Sequence, residues 1–317
     1  MLELLYFKVA NHFNIIDKPN LRSSHSYITL RGGGIIFFFG IWLWAAIWGF
    51  KYPWFIIGLT LISLVSFIDD VHSVPNWVRL FVQFSSMLLL LIQIGIVQWN
   101  MWWIVIVALI VGVGIINAYN FMDGINGITG GYSLSVLVPL VIVNSYHQSQ
   151  SIKYIDQRLL IVIIISVIVF CFFNFRKRAK CFAGDVGAVS IAYVLLFAIG
   201  SLMFVTRDLT YIMFLAVYGV DTVLTIIHRI LLREHLGQAH RKHAYQLMVN
   251  ELKIPHIIVS SIYMGIQLLI SLGLIFIPMN HYIYSFIILT LLSVAYILFM
   301  KKYYHLHEEY LIAHQNG

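Results

Sequence analysis

Long apolar stretches dominate the hydropathy pattern of this 317-residue chain. A helix needs roughly 20 mainly apolar residues to cross the hydrocarbon core of a bilayer, and lipid cannot satisfy the backbone of an open strand. The pattern therefore predicts an all-α fold, a polytopic transmembrane helical bundle of about ten spans. We place the spans at about 33–50, 53–68, 80–98, 101–117, 130–146, 159–174, 187–204, 210–232, 256–278 and 282–300.

Composition agrees with a membrane protein and excludes several other classes. Hydrophobic residues make up 61% of the chain and charged residues only 10%, against about 25% charged residues in soluble domains. Two cysteines without a metal-ligand spacing exclude a disulfide-built protein. Because the polar connections are short, we expect residues 1–317 to form a single integral-membrane domain.

The basic residues predict the orientation of the bundle. Fifteen Lys and Arg fall in one set of alternating connections and four in the other. Positively charged loops stay in the cytoplasm, so the first set is predicted to be cytoplasmic. The net charge of +7 then reflects topology, and we expect no nucleic-acid partner. The predicted cytoplasmic loops are about 17–32, 69–79, 118–129, 175–186 and 233–254.

Most of the scarce aspartates fall on this same predicted face. Five lie in the cytoplasmic loops or at the adjoining span ends: Asp17, Asp69, Asp70, Asp123 and Asp185. Carboxylates gathered in one cleft need a counter-charge, from Lys and Arg or from a divalent metal. Asp221 instead falls inside a span, where a charge costs about 2.5–3.5 kcal/mol on insertion scales unless it is paired or faces water.

Four short motifs carry the candidate chemistry. The pair Asp69-Asp70 ends a span, where two carboxylates can reach one metal or phosphate. The segment 117–131 surrounds Asp123 with four glycines and three asparagines, which favour close approach of a ligand to the backbone. Asp185 precedes a span, and HRKHAYQ at 240–246 offers cations suited to phosphates. The alternatives are a solvated helix end, ordinary turns and a solvated basic loop.

In this order, the motifs resemble the polyprenyl-phosphate N-acetylhexosamine-1-phosphate transferase superfamily, glycosyltransferase family 4, which includes the phospho-muramoyl-pentapeptide translocases. The matching pieces are Asp69-Asp70, NxxDGxxG at 120–127, FxGDxG at 182–187 and the loop at 240–246. An early RSSHxxxTxRGGG at 22–34 resembles the branch that starts O-antigen and capsule chains.

The resemblance implies an enzyme of the bacterial inner membrane with a cytoplasmic active site. It would transfer a sugar 1-phosphate from a UDP-N-acetylhexosamine to undecaprenyl phosphate and release UMP, with Mg²⁺ or Mn²⁺ as cofactor. Membrane lipid is a further partner, and a homodimer is left open. The alternatives are a multi-pass transporter or ion-coupled carrier using intramembrane acids such as Asp221, and a non-catalytic scaffold of a polysaccharide assembly complex.

The resemblance also assigns residues. Catalytic roles go to Asp69, Asp70, Asp123 and Asp185. Metal ligation goes to Asp185, Asn120 and Asp70. Substrate binding goes to Asn120, Asn126, Phe182, His240, Arg241 and His243, with Phe182 stacking on uracil. Three departures from the family are visible. Residues 1–16 are too short and polar to form its usual first span, and Asn126 stands where many relatives have Asp. The loop reads HRKH instead of the triple-His pattern of the peptidoglycan enzyme, which argues against a muramoyl-pentapeptide substrate.

Overall fold

The protein is described by a computed structural model, which covers residues 1–19, 24–25, 27–97, 102–145, 153–235 and 240–315, without the side chains of 311 and 313–315. Arg22, the first residue of the motif at 22–34, and part of the predicted 233–254 loop lie outside these residues. The described structure contains twelve α-helices, a seven-residue 3-10 helix and a hairpin of two strands with two residues each. The predicted all-α class is confirmed.

The elements follow one another as apolar helices with short connections. Their bounds are α1 Leu2–His12, β1 Ile16–Asp17, β2 Thr29–Leu30, α2 Ile35–Trp48, α3 Pro53–Val71, α4 Asn76–Ile94, α5 Trp102–Met122, α6 Ile128–Ser145, α7 Gln157–Asn174, α8 Gly184–Thr206, the 3-10 helix Leu209–Leu215, α9 Ala216–Leu231, α10 Ala244–Asn250, α11 His256–Phe276 and α12 His281–Gln315.

Nine helical segments in the described chain are long and apolar enough to cross a membrane, where the sequence predicted ten. The difference is α2, predicted over 33–50. It has 14 residues, which at 1.5 Å per residue span about 21 Å, less than the core of a bilayer. The 3-10 helix and α9 together form the span predicted at 210–232.

Helix α8 forms the centre of the bundle, because 78% of its most apolar stretch is buried, against 17% for α12. Helices α2, α3 and α5 pack on it. Phe55 of α3 stacks on Phe197 of α8 with ring centroids 4.2 Å apart. A 2.8 Å hydrogen bond joins the hydroxyls of Ser63 and Ser190 between the same helices. The start of α8 is thereby fixed relative to the end of α3.

Several predicted site residues lie on helix ends rather than in free loops. Helix α3 continues past its predicted end and carries Asp69 and Asp70 in its last turn. Helix α5 likewise extends to Met122 and includes Asn120. Helix α8 begins at Gly184, so Asp185 lies in its first turn. Rigid helices therefore position these side chains.

Candidate functional site

The short hairpin brings two distant glycine-rich segments together. β1 and β2 pair antiparallel, and Leu30 also forms a parallel bridge with Cys181. The N–H of Gly33 donates to the carbonyl of Phe182 over 2.8 Å, and the N–H of Phe182 donates to that of Leu30 over 2.8 Å. Residues 30–34 therefore run alongside 181–183, which places Arg31 next to Asp185.

Glycine is required where these segments cross. Gly184 has φ +71°, and a Cβ there would overlap both the Asp70 carboxylate and the backbone of Gly32. A Cβ on Gly34 would overlap the Cα of Gly187. The RGGG and GDxG motifs thus include residues that let the backbones approach closely.

Arg31 connects two of the predicted aspartates. Its Nε lies 2.6 Å from Oδ1 of Asp70, and its Nη2 donates to Oδ1 of Asp185 over 2.9 Å. Burial opposes the guanidinium charge, but Asp70 and Asp185 together raise the pKa of Arg31 above its ordinary value. A guanidinium held by two carboxylates is a fixed cation at the start of α8.

Arg79 makes a second cross-link of the same kind. Its Nη1 lies 2.8 Å from Oδ2 of Asp69, and its Nη2 lies 3.5 Å from Oδ2 of Asp185. Asp69 also accepts the backbone N–H of Val74 at 2.6 Å. The three predicted carboxylates Asp69, Asp70 and Asp185 are therefore gathered by two arginines into one cluster.

Asp70 has a structural position within this cluster. Its side chain is fully buried, and its two oxygens accept the backbone N–H groups of Asp185 and Val186 at 2.9 and 3.0 Å. These N–H groups belong to the first turn of α8, which has no intrahelical acceptor for them. Asp70 thus caps α8 from the end of α3, while Asp185, with 14% of its side chain exposed, faces open space.

A polar cavity of about 230 Å³ adjoins Asp185. Five predicted site residues line it: Asn120, Asp123, Asn126, Phe182 and Asp185. Its remaining lining residues are Asp17, Ser24, His25, Arg31, Gly124, Ile125, Asn174, Gly184, Gln246 and His256. Two of the predicted motifs, 120–127 and 182–187, therefore meet at one cavity, and Asp69, Asp70, His240 and His243 are not among its lining residues.

Asp123 is the acid of the glycine-rich turn. It accepts a hydrogen bond from the Thr129 hydroxyl at 2.5 Å. Burial raises the pKa of Asp123 to about 6, although the Thr129 hydrogen bond acts in the opposite direction. A carboxyl with this pKa changes charge close to physiological pH.

Two amides hold the walls of the cavity in place. Asn126 is 1% exposed, and its Nδ2 donates to the carbonyl of Arg176 over 3.0 Å. Asn174 accepts the N–H of Gly127 at 2.7 Å and donates to the carbonyl of Cys181 over 2.8 Å. Asn174 therefore ties the 120–127 turn to the segment before α8.

The predicted histidine loop lies partly away from the cavity. His243 is 1% exposed, and its Nδ1 lies 3.3 Å from Oδ1 of Asp221. Burial, reinforced by neighbouring His243, lowers the pKa of His240 to about 3, so its ring is neutral. Phosphate binding by either imidazole stays a prediction, because His243 is buried and the ring of His240 is neutral.

Arg241 lines a second cavity of about 430 Å³, which shares Ser24, His25 and His256 with the first. Its guanidinium lies 2.8 Å from Glu251 and 4.0 Å from the ring centroid of Tyr310. The other residues lining this cavity are Tyr27, Lys177, Asn250, Lys253 and Tyr310. The shared residues make the two cavities neighbours along one polar surface.

The fit of a divalent metal depends on the oxygen donors. Within the described residues, no three histidine, cysteine or acidic side chains are grouped as metal ligands. Asp185 and Asn120 line the same cavity and offer the oxygens that Mg²⁺ or Mn²⁺ takes. Asp70 fits poorly, because two backbone N–H groups and Arg31 already occupy its oxygens. The oxygens of Asp185 also contact Arg31 and Arg79, but its side chain is 14% exposed where that of Asp70 is fully buried, so Asp185 with Asn120 is the better fit for a cation.

Sequence reasoning did not assign site roles to six lining residues: Asp17, His25, Arg31, Asn174, Gln246 and His256. Four of them carried a usable signal, since Asp17 is one of the five aspartates on the predicted cytoplasmic face. His25 and Arg31 belong to the early RSSHxxxTxRGGG motif, and Gln246 ends HRKHAYQ. Asn174 and His256 lie at the ends of α7 and α11, where only the folded structure reveals their proximity.

The Asp221 side chain, on which the transporter alternative rests, is enclosed. It accepts hydrogen bonds from the hydroxyls of Thr225 and Tyr263 at 3.2 and 2.6 Å, and from the N–H of Ala244 at 3.1 Å. His243 adds the contact already described. A carboxylate with these partners is satisfied by protein groups and is 3% exposed.

Comparison with known proteins gives a family match. Residues 52–203 match the model of glycosyl transferase family 4. The probable undecaprenyl-phosphate N-acetylglucosaminyl 1-phosphate transferase of Bacillus subtilis (strain 168) is 24% identical over 264 residues, which cover 76% of this chain and 72% of that protein.

Two further relatives cover less. The undecaprenyl-phosphate alpha-N-acetylglucosaminyl 1-phosphate transferase of Yersinia pestis is 28% identical over 59% of this chain and 55% of its own length. The phospho-N-acetylmuramoyl-pentapeptide-transferase of Thermotoga petrophila is 26% identical over 54% of this chain and 59% of its own. Over residues 52–203 the chain is therefore similar to glycosyl transferase family 4, and its long apolar helices are those of a multi-pass membrane protein.

Proposed function

We propose that the protein transfers an N-acetylhexosamine 1-phosphate from a UDP-sugar to undecaprenyl phosphate, releases UMP, and so initiates a lipid-linked surface polysaccharide such as O-antigen or capsule. The reaction takes place at the cytoplasmic face of a bacterial inner membrane. One observation carries the proposal: Arg31 and Asp185, bonded over 2.9 Å, line a polar cavity at the ends of apolar helices. A lipid phosphate and a cytoplasmic nucleotide can meet only at such a boundary.

The reaction is a displacement at the sugar-bearing phosphorus. An oxygen of the lipid phosphate attacks this phosphorus, the bond to the bridging oxygen breaks, and UMP leaves with the electron pair. A phosphate monoester has a second pKa near 6, so the acceptor is largely dianionic at neutral pH and needs little help from a base. We therefore favour a single displacement.

The protein contributes positioning and charge. Arg31 presents its guanidinium to the cavity and offsets the negative charge of the phosphates. Asn120 and Asp185 would hold a divalent cation, which when bound neutralises the diphosphate and stabilises the leaving group. Phe182 lines the cavity, where its ring can stack on uracil. Asp69 holds Arg79 beside Asp185.

The test is UMP release by the purified full chain. Undecaprenyl phosphate, Mg²⁺ and a panel of UDP-sugars are supplied, including UDP-N-acetylglucosamine, UDP-N-acetylgalactosamine and their 6-deoxy analogues. We expect release with at least one donor and only with the acceptor present, and loss of release in Asp185→Asn while the variant still inserts and folds. Substantial activity of this variant would remove the assignment of Asp185.

The competing mechanism makes an aspartate the nucleophile and passes through a covalent intermediate. It predicts labelling of the protein by a donor carrying ³²P, and exchange of radioactive UMP into the donor without any acceptor. The single displacement predicts neither. Both measurements use acceptor-free enzyme, so residual lipid must first be removed.

A further inference from the structure

Asp221 is a buried carboxylate that the proposed reaction does not use. It lies in α9, is 3% exposed, and accepts a 2.6 Å hydrogen bond from the hydroxyl of Tyr263 in α11. Thr225, one turn further along α9, donates to it over 3.2 Å. Burying a carboxylate in an apolar helix costs free energy unless several hydrogen-bond donors surround it. The presence of Asp221 at this position therefore calls for a functional explanation.

The remaining partners of Asp221 belong to the start of α10. The N–H of Ala244, the first residue of α10, donates to Oδ1 of Asp221 over 3.1 Å. The same oxygen lies 3.3 Å from Nδ1 of His243, the residue that caps α10. Because α10 has only seven residues, fixing its first turn fixes most of the helix.

Helix α10 in turn fixes Gln246. The N–H of His243 donates to Oε1 of Gln246 over 3.2 Å, so the amide oxygen is held toward the start of α10. Gln246 lines the first cavity together with Asn120 and Asp123. We assign its NH₂, which can only donate a hydrogen bond, to a ligand in this cavity.

A second contact sets the distance between α10 and the glycine-rich turn. The hydroxyl of Tyr245 donates to the carbonyl of Phe121 over 3.0 Å. Phe121 is the residue after Asn120, so Gln246 is held at a defined distance from that wall of the cavity. The chain of contacts therefore runs from Asp221 through α10 to the cavity.

We infer that Asp221 is a positioning residue for the donor site: through His243 and Ala244 it holds α10 so that the Gln246 NH₂ donates to an oxygen of the UDP-sugar. This inference rests on the proposed function. It gives an intramembrane acid a role in donor binding without contact to the substrate. Removing the acceptor oxygen on Asp221 should weaken donor binding more than it slows the chemical step.

The test is a double-mutant cycle measured as KM for the UDP-N-acetylhexosamine that releases UMP fastest. Asp221→Asn keeps the size of the side chain but replaces one acceptor oxygen by an NH₂ group. Gln246→Ala removes the donor in the cavity. We expect each single variant to raise KM about three- to tenfold, as loss of one hydrogen bond does, with a smaller change in kcat. The double variant should be no worse than Gln246→Ala.

Asp208→Asn is the matched control. Asp208 anchors the opposite end of the same span, where it accepts from the N–H of Thr210 at 2.9 Å and contacts His281 at 2.6 Å. This variant should leave KM unchanged, alone and in the Gln246→Ala background. A purely structural role of Asp221 would instead give additive effects with Gln246→Ala, and that result would overturn the inference.

A replacement variant and the activity of the wild-type protein make each outcome of the test interpretable. If Asp221→Asn does not yield folded protein, Tyr263→Phe removes the 2.6 Å donor while it keeps the carboxylate, and the same cycle is measured with it. A wild-type protein that releases no UMP from any donor would overturn the proposed function. A wild-type protein that turns over, beside an Asp221 or Tyr263 variant with unchanged KM, would overturn only the role of Asp221.

Discussion

Arg31 donates from Nη2 to Oδ1 of Asp185 over 2.9 Å, across 154 positions of sequence. The contact depends on the crossing of the RGGG and GDxG segments, whose glycines allow the two backbones to touch. Asp70 holds the other side of the same guanidinium at 2.6 Å. Arg31 thus orients Asp185, which lines the cavity, and also binds Asp70, which caps α8.

We expect Arg31→Lys to lower kcat/KM for UMP release at least tenfold. A lysine ammonium is a single point charge and cannot bond both carboxylates in the planar geometry of a guanidinium. The control is Arg207→Lys at the opposite end of α8, whose guanidinium lies 4.7 Å from the ring centroid of Phe204. Activity of Arg31→Lys within twofold of the wild type would contradict the role given to the guanidinium.

Asp70→Asn should reduce stability, whereas Asp185→Asn should mainly reduce activity. In Asp70→Asn an NH₂ group would face a backbone N–H at the start of α8, which costs about 1–3 kcal/mol for a buried unsatisfied donor. The melting temperature of detergent-solubilised protein, followed by intrinsic fluorescence, should fall by several degrees for Asp70→Asn. An equal fall for Asp185→Asn would mean that both carboxylates support the fold.

Asp123 should make stability depend on pH. Its folded pKa of about 6 lies above its ordinary value of 3.8. Between these values the folded chain keeps a proton that the unfolded chain has released, so the free energy of unfolding decreases as pH rises from about 4 to about 6. In Asp123→Asn the decrease in melting temperature over this window should be smaller than in the wild type.

Asp156→Asn is the control for this pH profile. Burial disfavours the Asp156 charge, but the hydrogen bonds from Lys51 and from the N–H of Arg158, together with the charges of both residues, hold the pKa of Asp156 below its ordinary value. Asp156 therefore titrates below the window, and its removal should leave the slope between pH 4 and pH 6 unchanged. A slope unaffected by Asp123→Asn would show that the buried carboxyl does not titrate there.

Glu3→Gln should raise the melting temperature at pH 8 and change it little at pH 5. Glu3 is 2% exposed, and burial raises its pKa to about 7. Oε1 contacts the Cys181 thiol at 3.5 Å, and Oε2 has no hydrogen-bond partner among the described residues. The folded state therefore loses stability as pH rises from about 4.5 to about 7, because the unfolded chain releases a proton that folded Glu3 retains. A lower melting temperature of Glu3→Gln at both pH values would indicate that the ionised form is stabilised.

The sequence predicts the helical fold because a lipid bilayer permits few backbone structures, and because the length of each apolar segment can be read directly from the sequence. It fails for α2, where a long apolar run contains a helix of only 14 residues flanked by glycine-containing segments. It also places Asp69 and Asp70 in a loop, although polar side chains at a helix end do not end the helix. Hydropathy locates spans but not their last turns.

The candidate site was predictable where a motif is local. The segments 120–127 and 182–187 reach one cavity, as the position of acids on one predicted face suggested. The proximity of Arg31, Asn174 and Gln246 to these motifs was not predictable, because the three residues come from three other segments and no spacing rule connects them. His243 shows the converse: its motif was recognised, but its contact with Asp221 depends on the packing of α9 against α10 and α11.

The residues lining the first cavity run from Asp17 to His256. A ribosome delivers these segments to the membrane in order, so the amino-terminal hairpin and α8 are present before Gln246 and His256 have been synthesised. The pocket is therefore incomplete until α11 begins to insert. If the proposed function holds, competence to consume an activated sugar arises as one of the last events in the biogenesis of the protein, when most of the bundle is already embedded in the membrane.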